Sequence, residues 1–262
     1  MKKILTTAIL CAGLVGFTAC DSFLDEDPKS SLTLDTYYKT SADIIGNVNY
    51  LYRDGAPDKM GNMTGAYRGS SLSVMNMVTG YFVNEYEGQE VDCSYARQLT
   101  RQDFTQSCCN YLTNDTWKSC YKSINVANAV IKYVDGVEMD NQAQYKAEAR
   151  FFRALNYFYL VKMFGDVPMV TEPTEDATLV EYPTRTAASE VFNTVIIPDL
   201  QFAVENLPNA TFAGNSHRVT KYAADMLLAD VYMRLGEYAN AVTPLKDVIN
   251  SGKFALATND NL

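Results

Sequence analysis

Residues 144–170, QYKAEARFFRALNYFYLVKMFGDVPMV, decide the fold. Phe151, Phe152, Leu155, Phe158, Tyr159 and Val161 recur at three- and four-residue steps, which gives one helix a broad apolar face. Lys146, Arg150, Arg153 and Lys162 fall mostly off that face. Asn141 is placed to cap the start, with Gln144 three residues on in the return position of a capping box. Gly165 suits a left-handed end, and Pro168 forbids resumption. About 20 residues rising ~1.5 Å each make a rod of roughly 30 Å. So wide an apolar face needs several other helices over it. The stretch predicts a core helix.

The flanking sequence supplies those helices. Trp117, Tyr121, Ile124, Asn128 and Ile131 follow 4-3-4-3 spacing, and Asp135-Gly136 closes their helix so that the next returns antiparallel. Asn128 lies on the apolar face and needs a buried partner, which marks it as a link between helices. Upstream, Thr40 or Ser41 opens a helix carrying Ile44, Ile45, Val48, Leu51 and Tyr52, stopped near Gly55. Downstream, Thr186 to Ile197 reads as a helix that Pro198 kinks or restarts before Leu200, Ala203 and Leu207. Lys221–Gly236 and Glu237–Ser251 form a pair joined at a glycine. Leu228, Ala229, Tyr232, Gly236, Tyr238 and Ala241 fit a tetratricopeptide repeat at about 219–251, with Met226 near the usual tryptophan position and the tyrosines filling the groove. One repeat cannot bury its own faces, so the earlier pairs must stack beside it. The predicted class is all-α, with tetratricopeptide-like helix pairs and long irregular loops.

From Gly55 to about Asn114 the pattern loosens, with Gly61, Gly65, Gly69, Gly80 and Gly88 as punctuation, and only Leu72 to Val83 could hold a helix. Long unpatterned stretches within a domain are commonly functional surface. Tyr81, Asn84, Glu85, Tyr86 and Tyr95 combine stacking rings with amide and carboxylate groups, a chemistry suited to hydroxylated ligands. Tyr81, Asn84, Tyr86 and Tyr95 are the candidate ligand residues. The 18 tyrosines against one Trp and one His fit sugar stacking or peptide contact. A net charge of −9 argues against nucleic acid and against docking on anionic lipid.

The block EARFFRALNYFYLVKMFGDVP, with W-x3-Y-x2-I-x2-A-N before it, closely resembles the hallmark helices of the SusD/RagB family, nutrient-binding lipoproteins of the Bacteroidetes outer membrane. The N-terminus agrees. Lys2-Lys3, an apolar run from Ile4 to Phe17 and small residues before Cys20 read as an export signal over 1–19, too short to span a membrane comfortably. Phe17-Thr18-Ala19-Cys20 resembles a lipobox, with phenylalanine for the usual leucine. Cys20 is then the lipidated first residue of the mature chain, anchored by acyl chains. Residues 20–34 form an acidic tether; Cys20 to Asp25 resemble the family's C-x-x-F-L-D opening, and the acids resemble a surface-export signal. Residues 35–262 are then a SusD-like N-terminal helical domain, about half of a family member, with the C-terminal half absent.

The resemblance implies a surface-exposed outer-membrane lipoprotein that binds oligosaccharides and passes them to a SusC-like TonB-dependent transporter. Peptides are the alternative ligand, and a repeat-based protein scaffold the alternative role. Enzymatic chemistry is not expected. His217 stands alone in a loop, Glu85, Glu87 and Glu90 set no fixed carboxylate spacing, and nucleophile-elbow, phosphate-loop and dinucleotide patterns are missing. Cys93, Cys108, Cys109 and Cys120 match no zinc spacing, so no metal and no cofactor is expected. Cys109 with Cys120 is one possible disulfide, and free thiols are equally open.

Overall fold

The computed structural model describes residues 33–54, 78–81, 98, 100–103, 107–175 and 183–256. The chain forms two units, residues 1–37 and 38–262; the described part of the first is Thr33 and the short helical turn Leu34–Tyr37. The second unit holds α1 (Ser41–Asp54), α2 (Ser107–Tyr133), α3 (Gln142–Phe164), α4 (Ala188–Val191), α5 (Ile197–Asn206), α6 (Lys221–Arg234) and α7 (Tyr238–Asn250). Among the described residues the β pairing is one isolated antiparallel bridge, Val167 with Thr186.

Helix α2 packs on α3, α3 on α5, α5 on α6 and α6 on α7, while α1 lies against α2 and α3. This serial stacking is how helix pairs bury faces that no single pair can cover alone. The core residues of α1, Ile44, Val48 and Leu51, are fully buried, as their spacing predicts. Thr40 and Asp43 form a reciprocal cap at its start. Asp43 Oδ2 accepts from the Thr40 amide at 2.8 Å and the Thr40 hydroxyl at 2.7 Å, and the Asp43 amide reaches back to Thr40 Oγ1 at 3.4 Å.

Helix α3 is buried more completely than its sequence pattern implies. Phe151, Phe152, Phe158, Leu160 and Val161 lie inside, but so do Ala147, Glu148, Arg153, Asn156 and Tyr157, whereas Leu155 and Tyr159 are half-buried. Arg153 is therefore not an off-face solvent residue; it enters the core to meet charge from α5. The capping box at Asn141 and Gln144 does not form. Asn141 takes a left-handed conformation (φ 56°, ψ 29°) with no side-chain cap bond, and Gln144 bonds Glu148 instead. Gln142 takes over the turn, donating to Val134 O at 2.7 Å and Val137 O at 3.0 Å. Gly165 ends the helix at φ 68°, ψ −122°, its amide on Val161 O, in a region that only glycine enters easily.

After Gly165 the chain runs extended, and its backbone groups are satisfied by side chains of α2 and α3. Tyr121 OH donates to Pro168 O at 2.7 Å, and Asn128 Nδ2 to Val170 O and Glu172 O at 3.0 and 3.2 Å. Tyr157 OH both donates to Val170 O and accepts from its amide, at 2.8 and 2.7 Å, and Asn125 Oδ1 takes the Thr174 amide at 2.7 Å. Asn128 is the inter-element link its position predicts. Burial pushes the Tyr157 phenol up to about 12 against the pull of the Val170 amide.

Helix α4 starts at Ala188 rather than Thr186, because Thr186 is held in the bridge to Val167. Ahead of Pro198 the chain widens into a π turn, Phe192–Ile196, which makes room for a ring that would clash with the carbonyl four residues back. The α6–α7 pair closes at Gly236 (φ 76°) with Leu228, Ala229 and Ala241 buried between the helices. Met226 and Tyr238 do not fill that groove; they are 50% and 68% exposed. Cys120 is buried and not disulfide-bonded. Cys109 shares its helix eleven positions away, about 16 Å at helical rise, so the pair cannot bridge.

Candidate functional site

Of the sequence-predicted ligand residues, the structure places Tyr81. Asn84, Tyr86 and Tyr95 lie outside the described residues, as do Cys20 and Glu85. Val78–Tyr81 is a turn in which Gly80 takes φ 78°, so the helix expected over Leu72 to Val83 does not run through these four residues, and the rest of that stretch lies outside the described residues. Tyr81 presents its ring almost wholly to solvent, 90% exposed. The turn is held by the Tyr81 amide on Thr79 Oγ1 at 3.3 Å and by Gln102 Nε2 on Val78 O at 3.2 Å.

A second feature lies where α1 begins and α2 turns into α3. Ser41 and Ile45 from α1, Glu138, Met139, Asp140 and Asn141 from the connection, and Tyr145 from α3 line an open cleft of about 630 Å³. Three local devices shape it. The Thr40–Asp43 cap fixes the first turn of α1, and its hydrogen bonds, led by the Thr40 hydroxyl, hold the Asp43 carboxyl below the usual range. Gln142 pins the connection to Val134 and Val137. Arg218 lies over the rings of Tyr52 and Tyr145, 4.7 and 5.3 Å from their centroids, and anchors Tyr145 from outside.

That arginine is itself fixed by buried charge. Its Nε lies 3.0 Å from both oxygens of fully buried Glu148, Nη2 reaches Oε2 at 2.5 Å, and Nη1 donates to Asn49 Oδ1 at 2.9 Å. Burial, and next the Glu148 charge, push the Tyr52 phenol far above its ordinary value. Sequence reading passed over this cleft. Ser41 stands about a hundred positions from Glu138, so only the packing of α1 on α3 joins them. Nor does the cleft suit a metal, since among the described residues no three His, Cys, Asp or Glu side chains come together.

A SusD-like family profile, described as "Starch-binding associating with outer membrane", matches residues 22–233. The chain belongs to the SusD-like family. SusD-like protein P2 of Formosa agariphila is 29% identical over 254 residues, covering 96% of this chain and 47% of its own. A SusD-like protein of Bacteroides ovatus is 29% identical over 248 residues, covering 92% and 40%. This SusD-like chain thus spans about half the length of the curated relatives it matches. Its backbone is similar to that of a SusD superfamily protein from Parabacteroides distasonis (TM-score 0.67, 25% identity, 82% of this chain and 45% of the other). It is also similar to a laminarin-binding SusD-like protein (TM-score 0.65, 24% identity, 85% and 46%). The mainly helical SusD-like fold expected from residues 144–170 is therefore the one observed.

Proposed function

We propose that this SusD-like chain is part of a surface lipoprotein that captures oligosaccharides and hands them to a SusC-like TonB-dependent transporter. The supporting observation is the family match over residues 22–233, whose description names both starch and the outer membrane. Similar folds carry the same direction: one belongs to a laminarin-binding protein and another was determined with xylogluco-oligosaccharide. On this reading residues 1–19 are removed, Cys20 carries the lipid, 20–34 is the tether and 35–262 is the N-terminal helical half of the binding protein. On the same reading attachment is by the acyl chains on Cys20; no helix among the described residues is long and apolar enough to cross a membrane. Capture is by stacking and hydrogen bonding, without covalent chemistry. Tyr81, with its exposed ring, contributes a platform, joined by Asn84, Tyr86 and Tyr95.

The test is affinity electrophoresis of the protein lacking its lipid cysteine, through gels containing plant, host and microbial polysaccharides. Retardation in one gel supports glycan capture and names the class. Replacing Tyr81, Tyr86 and Tyr95 by Ala then weakens the retardation. Free mobility in every gel refutes the reading and moves the ligand to peptides.

A further inference from the structure

Most buried polar side chains in this fold hold helices together. Asn128 clamps the strand-like segment after α3, Glu148 grips Arg218, Asp199 grips Arg153, and Asp225 holds Lys221, which reaches across to Asp247 of α7. Half-buried Ser41 and solvent-exposed Glu138, Asp140 and Asn141 differ. Among the described residues their side chains make no hydrogen bond and no ion pair, yet all four line the one cleft between α1 and the α2–α3 connection. Their chemistry is mixed: a hydroxyl, an amide that both donates and accepts, and two acceptor carboxylates. Ile45 and Met139 supply apolar surface, and Tyr145 a phenol with an anchored ring. A volume of about 630 Å³ falls within the usual range of small-molecule clefts.

We infer that this cleft is a carbohydrate contact separate from the Tyr81 turn, and that it selects sugars without acidic groups. The inference rests on the glycan-capture reading above. Sugar hydroxyls present alternating donors and acceptors, which is what four uncommitted groups of both kinds can meet. The selectivity follows from charge. Two carboxylates face the space and no lysine or arginine lines it. Arg218 is committed to Glu148 and Asn49 and Lys146 to Asp135, while Lys39, exposed before α1, is not among the lining residues. A uronate or sulfate entering the cleft would meet the like charge of Glu138 and Asp140, whereas a neutral pyranose donates to both carboxylates.

The test uses the lipid-free full chain with two short probes, a neutral gluco-oligosaccharide and an oligogalacturonate of equal length. Binding is followed by calorimetry and by the NMR shifts of the Asn141 side-chain amide and the Ser41 backbone amide. The expected result is that the neutral probe binds, moves both signals, and binds roughly tenfold or more weakly to Ser41→Ala/Asn141→Gly. Glycine keeps the left-handed backbone at 141, so that variant retains the fold. Glu138→Gln/Asp140→Asn then gains affinity for the oligogalacturonate. If the neutral probe binds but neither signal moves and neither variant differs from wild type, the cleft is wrong and glycan capture stands. If neither the probes nor any polysaccharide gel detects binding, the capture reading fails and the cleft falls with it.

Discussion

Replacing Arg153 by Met tests whether the α3–α5 contact depends on charge pairing inside the core. Arg153 Nε lies 2.7 Å from Asp199 Oδ2 and Nη2 lies 2.9 Å from Oδ1, while Nη1 donates to Asn128 Oδ1 at 2.9 Å. The side chains of Arg153 and Asp199 are only 10% and 3% exposed. Methionine fills similar space but leaves Asp199 with Arg150 alone, at 3.7 Å. Removing one partner from a buried pair costs about 3–5 kcal/mol. The remaining Arg150 places the loss near the lower end, and the orphaned Asn128 oxygen adds about 1 kcal/mol. A drop of about 4 kcal/mol lowers Tm by roughly 10 °C in a domain of this size. Burial already pushes the Asp199 carboxyl upward against the pull of Arg153. In the variant that push is less opposed, so Asp199 protonates more readily when folded than unfolded. The deficit is then smallest at acid pH and grows as pH rises toward neutrality. Urea denaturation followed by circular dichroism, at several pH values, measures it. The double variant Arg153→Met/Asp199→Leu should recover most of the loss, because no carboxylate is left buried and half-buried Arg150 still lies over the Phe202 ring, 4.2 Å from its centroid. A single variant within 1 kcal/mol of wild type, or a double variant as unstable as the two singles summed, would refute the reasoning.

Three further outcomes follow from individual contacts. Tyr157→Phe removes both bonds to Val170 and should cost about 1–3 kcal/mol, read by the same denaturation, with added protease sensitivity in the segment after Gly165. Gly165→Ala meets no atom within 4 Å, so its cost of about 1–3 kcal/mol is conformational, and Gly165→Asn should not rescue it because ψ −122° lies outside the left-handed region asparagine tolerates. Asp43→Asn lowers Tm at neutral pH. Since the folded carboxyl titrates below its unfolded value, that stabilisation is present above the unfolded pKa and lost as pH falls through the folded one, so the gap between variant and wild type closes in acid.

The helical architecture was legible because periodicity alone specifies it. The apolar steps of α1, α2 and α3, Gly165 as a terminator and the small residues of the α6–α7 pair all read directly from sequence. What sequence missed was the use of charge inside. Arg153 and Glu148 look like surface residues on a helical wheel, and each is explained only by a partner 46 or 70 positions away. Asn141 failed as a cap for a related reason: the connection closes through Gln142, a competition between neighbours that residue preference does not decide. Of the candidate ligand residues Tyr81 alone can be located. The cleft at Ser41 and Glu138–Asn141 had no local signature, since its walls come from two segments, 41–45 and 138–145, far apart in the chain.

The extended segment from Val167 to Thr174 is held as a strand would be, with side chains in place of a sheet. Ladder partners in a sheet can slip by two residues and pair again. Here Tyr121, Asn128, Tyr157 and Asn125 grip particular amides and carbonyls, so no shifted alignment satisfies them together. The segment is consequently indifferent to many changes of residue and intolerant of changes in length. Substituting exposed Thr171 should pass unnoticed, whereas deleting it would unseat every grip beyond it. In this lineage, insertions and deletions should collect in the loops between helices and stop short of this stretch.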